Sequence, residues 1–332
     1  MKFLGDGLRA GVLRAAGVAF VAAVLASCGG GQQIERFVPT RVLAFGDESS
    51  VINASGSKYT VNGVVDATAT PPGVMDCSVN PIWVQYLATA YGLVFPQCPG
   101  IVASPPSRIL AQPDTKAADV AAQITSFTSG DTFNGKDLVT VLAGQNDILE
   151  QYQLVKGGLP EAQASAVLEA AGTALADQVN IIARAGGKVL ISTVPDLSLT
   201  PFAVTEGATN AAVLSRLTFS FNRKLRLGII NDGHMIGLLL TDEMVQSIVK
   251  TVQAGATTTY VDVTHVACDP AVAPLVQDCT TLTLKDYTGV PDTVGIKATA
   301  TGWLWADATH LSAGGHASLG SSAYSRAAGN PF

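Results

Sequence analysis

The chain has 332 residues, 48% of them hydrophobic and only 14% charged, with a net charge of −6. That supply of apolar side chains predicts one large buried core, with two smaller domains as the alternative. The mild charge is spread along the sequence and no Lys/Arg cluster is interleaved with aromatics, so a nucleic-acid partner has no electrostatic footprint here.

Taken in chain order, residues 1–27 read as an export signal peptide. Lys2, Arg9 and Arg14 give a positive start, and Ala15 to Leu25 is an apolar stretch too short for a stable membrane span. It ends in Leu25-Ala26-Ser27-Cys28, which resembles the bacterial lipobox, whose cysteine is acylated and becomes the new N-terminus. A plain secretory signal, with Cys28 as an incidental thiol, is the alternative. Residues 28–40 then form a flexible tether that opens with Gly29-Gly30-Gly31-Gln32-Gln33. On the lipoprotein reading, palmitate-like acyl chains on Cys28 hold the protein at a membrane. Glycine in place of aspartate after the cysteine points to the outer membrane of the cell envelope.

Residues 41–332 form the folded domain. Val42 to Phe45, Leu138 to Leu142, Lys188 to Ser192 and Met235 to Leu240 are short apolar runs that predict buried strands. Helical spacing appears between them in Val120, Ile124 and Phe127, in Leu168, Leu175 and Ile182, and in Leu214, Leu217, Phe221 and Leu225. The middle helix starts near Pro160 and stops at Gly186-Gly187, and Ala313 to Ala327 closes the chain as another helix. This alternation predicts a three-layer α/β/α domain with a doubly wound, mostly parallel sheet. Ser55 to Asn80 and Cys268 to Ala300 lack periodicity and read as long insertions. In such sheets the ligand crevice lies beyond the carboxyl ends of the strands, so insertions leaving those ends are natural pocket walls.

Without Cys28, four cysteines remain: Cys77, Cys98, Cys268 and Cys279. An even number in an exported chain favours two disulfides. Sequence proximity suggests Cys77–Cys98 and Cys268–Cys279, although three connectivities are possible. With no C-x-x-C pair and no histidine cluster, neither a metal site nor an organic cofactor is expected.

Three stretches carry the chemistry. Ester hydrolysis by a side-chain nucleophile needs an activated hydroxyl, a base, a group that orients the base, and donors for the oxyanion. Gly46-Asp47-Glu48-Ser49 and Gly144-Gln145-Asn146-Asp147 each follow a predicted strand, and Asp307-Ala308-Thr309-His310 precedes the last helix. In this order they resemble the three blocks Gly-Asp-Ser, Gly-x-Asn-Asp and Asp-x-x-His of the GDSL, or SGNH, hydrolase family, particularly its secreted bacterial lipases and phospholipases. The resemblance spans roughly Arg41 to Ala327. It implies a flavodoxin-like fold, with His310 as general base, Asp307 orienting it, and Asn146 and Gly144 in the oxyanion block. Gly100 is the candidate for the second-block backbone donor. Taken singly, Asn146-Asp147 would read as a helix cap, Asp307 as a cap and His310 as a surface histidine. His234, His265 and His316 lie outside any motif, and His316 is the one that could substitute as a base. Trp303 and Trp305 read as packing residues.

The first block departs from the family by placing Glu48 where the serine belongs. Three readings stay open. Ser49 presents the hydroxyl after a rearranged turn, Glu48 acts as a carboxylate nucleophile, or Glu48 pairs with His310 and silences the site. Alternatively, Ser49 and Ser50 merely cap a helix expected after the first strand. A carboxylate beside His310 would favour the imidazolium, which cannot act as a base. The expected function is hydrolysis of a small-molecule or lipid ester by an exported, lipid-anchored esterase with an atypical nucleophile block. The alternative is a degenerate hydrolase fold that binds without catalysis.

Overall fold

The structure is a computed structural model that describes residues 36–65, 73–291, 293–329 and 332. The stretch read as a signal peptide, Cys28 and most of the segment read as a tether lie outside the described residues. The elements in chain order are β1 (Arg41–Gly46), β2 (Gly63–Val64), β3 (Met75–Asp76), α1 (Trp83–Ala90), β4 (Arg108–Ile109), α2 (Val120–Thr128), β5 (Asp137–Leu142), α3 (Gln145–Lys156) and α4 (Glu161–Arg184). They continue with β6 (Lys188–Ser192), α5 (Pro201–Glu206), α6 (Ala208–Gly228), β7 (Ile236–Leu239), α7 (Thr241–Gln253), β8 (Asp262–Val266), β9 (Trp303–Trp305) and α8 (Ala313–Gly329).

Five strands form one sheet in the order β4-β1-β5-β6-β7, and each neighbouring pair is parallel. Side chains alternate across it, as the two-residue period of a strand requires. Leu43, Phe45, Val139, Val141, Val189 and Ile191 enter a core with the apolar stripes of α2, α3, α4 and α6. Val42, Ala44, Leu138, Leu142, Leu190 and Leu239 face the opposite way, against α1, α7 and α8. Burial on both faces explains why the strands read as continuous apolar runs. The three-layer α/β/α architecture is therefore the one that the sequence predicts. Counting only the strands of this sheet, the order is 2-1-3-4-5, which reverses between β1 and β5. A crevice opens at such a switch point.

The helix expected directly after β1 is absent. A single 3-10 turn, Glu48–Ser50, follows Asp47, and Val51 is already extended. The first long helix, α1, begins only at Trp83, after the predicted excursion. Cys268, Cys279 and Tyr287 of the second insertion share a small core with Val61 of the first and Trp303. Trp303 and Trp305 are buried in β9, as packing residues should be. The disulfides are Cys77–Cys98, which ties the end of the first insertion to the segment after α1, and Cys268–Cys279 within the second insertion, with Cα–Cα distances of 5.7 and 5.8 Å. Among the described residues, no helix is long and apolar enough to cross a membrane.

Candidate active site

The site is assembled at the carboxyl ends of β1 and β5. Strand β1 ends at Gly46, whose φ is +118°. A Cβ there would sit 1.8 Å from the Leu142 carbonyl oxygen of β5, so only glycine allows the turn. Asp47 is fully buried, and its Oδ1 accepts from the Ser49 backbone N–H at 3.0 Å, capping the 3-10 turn. Burial, followed by the charge of Glu48, holds the Asp47 carboxyl well above the usual carboxylate range.

The turn sends Glu48 inward, where it is 5% exposed. Its Oε2 accepts from Asn146 Nδ2 at 3.1 Å and from the Asp114 backbone N–H at 3.1 Å. Asn146 Nδ2 also lies 3.3 Å from Oε1 and donates to the Thr115 carbonyl at 3.2 Å. The backbone N–H of Glu48 faces its own carboxylate as well. Three donors of the kind that would receive a substrate oxyanion thus surround the carboxylate of this side chain. Asn146 reaches it because Gly144 starts α3 with a φ of +121°, and a Cβ on Gly144 would meet the Phe221 ring at 2.3 Å.

His310 completes the arrangement. Its Nδ1 lies 2.8 and 2.9 Å from the two oxygens of Asp307. The backbone N–H groups of Thr309 and His310 fix Asp307 Oδ1 at 2.9 and 2.8 Å. On the other edge of the ring, Nε2 lies 3.5 Å from Glu48 Oε1. This is an ion-pair contact, too long and too poorly aligned for a normal hydrogen bond, and Nε2 has no hydrogen-bond partner among the described residues. Burial alone would disfavour the imidazolium, but Asp307 first and Glu48 second override it and push the pKa up to about 10. Burial likewise opposes the Glu48 carboxylate. His310, the Glu48 backbone N–H and Asn146 overcome it, so the carboxyl lies below its ordinary range. The resting pair is therefore carboxylate and imidazolium.

The structure brings Glu48, His310, Asp307, Asn146 and Gly144 together and sets two candidates apart. Ser49 is half-buried in the same turn, and no hydrogen bond joins its hydroxyl to His310. Gly100 is not the backbone donor facing Glu48. It is exposed and lines an apolar cavity of about 640 Å³ with Cys98, Leu93 and Tyr324. The Asp114 N–H holds the place assigned to Gly100, because Asp114 adopts the left-handed conformation at φ +59° and turns its amide inward. Pro113-Asp114 marks a turn in the sequence, but nothing there identifies its amide as a donor. Tyr59 is a further residue of the site that carries no motif in the sequence. Its ring lies 5.8 Å from that of His310, tilted by 44°, and comes from an insertion without periodicity. His316 is fully buried, with Nδ1 3.4 Å from the Trp83 N–H, and burial first, then the charges of Lys58 and His310, lower its pKa to about 3. It is a neutral core histidine and not a substitute base.

A model of the family GDSL-like Lipase/Acylhydrolase matches residues 42–322, a stretch that contains all three blocks and the strands that carry them. The chain belongs to the GDSL-like lipase/acylhydrolase family. GDSL hydrolases are ester hydrolases and acylhydrolases in general, and the departure at Glu48 lies within the matched stretch. Among solved structures, the chain is similar to a member of the lipolytic protein G-D-S-L family from Veillonella parvula. That likeness has 11% identity and a TM-score of 0.37, and covers 71% of this chain and 93% of the other. No curated protein matches the chain.

Proposed function

We propose that this GDSL-family chain hydrolyses carboxylic esters by direct attack of water, with Glu48 as base and His310 as acid. The observation that carries this reading is the asymmetric hold on the Glu48 carboxylate. Two donors fix Oε2 at 3.1 Å, while Oε1 has only the longer 3.3 Å contact with Asn146 and faces the imidazolium across 3.5 Å. Attack by Glu48 itself on an ester carbonyl would give a strained anhydride. A water at Oε1 avoids that intermediate. As its oxygen bonds to the carbonyl carbon, one water proton passes to Glu48. The imidazolium charge counters the charge growing on the carbonyl oxygen. The bond to the leaving oxygen then breaks as that oxygen takes the proton from His310 Nε2. Transfer of the Glu48 proton back to His310 restores the pair and leaves an acid and an alcohol.

The substrate is a small-molecule or lipid ester, met at the cell envelope. The basic start, the short apolar stretch and Cys28 support export and lipid anchoring. Incorporation of labelled palmitate that disappears in Cys28→Ser checks the anchor.

A second reading, a non-catalytic binding protein, is favoured by the same carboxylate, because it already occupies the donors that an oxyanion would need. Protein lacking residues 1–28 separates the two with a series of chromogenic esters. Turnover should survive Ser49→Ala and fall about 10²–10⁴-fold in Glu48→Gln and in His310→Ala. The rate should hold through neutral pH and drop as His310 loses its proton near pH 10. A rate that instead climbs toward pH 10 and dies in Ser49→Ala would restore serine chemistry. No turnover of any ester would leave the binding role.

A further inference from the structure

Gln123 is a polar residue on the buried face of α2, between Val120 and Ile124 of the core. It is 6% exposed. A buried amide is costly unless its hydrogen-bonding groups are met. Here they are met by two segments of the site. Gln123 Oε1 accepts from the Gly46 backbone N–H at 2.8 Å, and Nε2 donates to the Gly46 carbonyl at 2.9 Å and to Thr115 Oγ1 at 3.1 Å. Pairing of β1 with β4 stops at Ala44 and Ile109; beyond it the Gln112 N–H donates to the Gly46 carbonyl at 3.0 Å, and the amide of Gln123 adds a bond to each polar group of the Gly46 backbone.

We infer that Gln123 is a positioning residue that sets the Glu48 carboxylate in its donor pocket by tying the β1 turn to the loop at Asp114-Thr115. The hydrogen bonds form a closed ring. Gln123 holds Gly46, two residues before Glu48, and also holds Thr115, next to the Asp114 N–H that binds Glu48 Oε2. Thr115 offers its carbonyl to Asn146 Nδ2, the other donor on the same carboxylate oxygen. The Gln112 N–H also donates to the Gly46 carbonyl at 3.0 Å, and Asn146 bridges Thr115 and Glu48, so loss of Gln123 leaves the loop attached but removes the side-chain tether between Gly46 and Thr115. The carboxylate then loses part of its stabilisation and binds a proton more readily.

This inference rests on Glu48 being the working carboxylate of the site, but its test needs no turnover. Carbon-13 NMR follows the titration of the Glu48 side-chain carboxyl, assigned by its loss in Glu48→Gln. In Gln123→Leu the proton affinity of that carboxyl should rise about tenfold, as expected from the loss of one hydrogen bond to a charged group. Thr115→Val removes only the hydroxyl acceptor and should move the same titration in the same direction. It decides the question alone if Gln123→Leu does not fold. An ordinary core amide would lower the urea midpoint and leave the Glu48 titration where it was, and that result overturns the inference. An inactive protein in which the titration moves as expected would overturn the hydrolase reading and not the role of Gln123.

Discussion

At residue scale, one substitution in the family pattern changes the electrostatic state of the whole site. A serine at position 48 would leave His310 with Asp307 alone. Glu48 adds a second carboxylate 3.5 Å from Nε2, and the imidazole becomes a buried cation. Glu48→Ser should therefore lower the proton affinity of His310 about tenfold or more, read by NMR of the ring. It should also make the protein react with a fluorophosphonate that leaves the wild type unlabelled. Stability follows the same charges. The folded-state pKa of His310 is raised, so its contribution is fully present below the unfolded value of about 6.5 and is lost as pH rises through about 10. Urea denaturation should thus show a gap between wild type and His310→Ala that is wide at pH 6 and narrows by pH 10.5. The motif residues were readable in the sequence because each block is local. The direction of the Glu48 side chain was not, because it depends on Asn146 and Asp114, which are distant along the chain.

At the scale of elements, the sheet was readable from the apolar runs of β1, β5, β6 and β7, each long enough for a buried strand to leave a pattern. The edge strand β4 was not, because its two residues are too few for any periodicity. The missing helix after β1 has a local cause. Asp47 caps a turn of only three residues, and the extended Val51 turns the chain away into the first insertion. Gly46 is the hinge of that geometry. Gly46→Ala would force a Cβ into the Leu142 carbonyl at a positive φ, and should cost about 3–5 kcal/mol in urea denaturation.

At the scale of the whole molecule, the two insertions meet beside His310. Lys58 is buried and donates to the carbonyls of Cys77, Val79 and Asn80, each at 2.9 Å. Asn62 donates to the carbonyls of Gln277 and Cys279, which joins the first insertion to the second. Between these anchors, Tyr59 packs its tilted ring against His310 and Thr60 Oγ1 donates to the Leu311 carbonyl. The Cys268–Cys279 bridge closes one side of this buttress, and its removal by Cys268→Ser with Cys279→Ser should lower stability by about 2–4 kcal/mol in urea. By itself, the sequence determined the family, the layered sheet and the identity of the residues at the strand ends, since all of these follow from short-range patterns of apolar and motif positions. Only the tertiary structure decided that the donors close on Glu48, that an Asp114 amide stands where Gly100 was expected, and that His310 is held as a cation. Those outcomes depend on burial and on distances between segments far apart in the chain, and no local pattern encodes them.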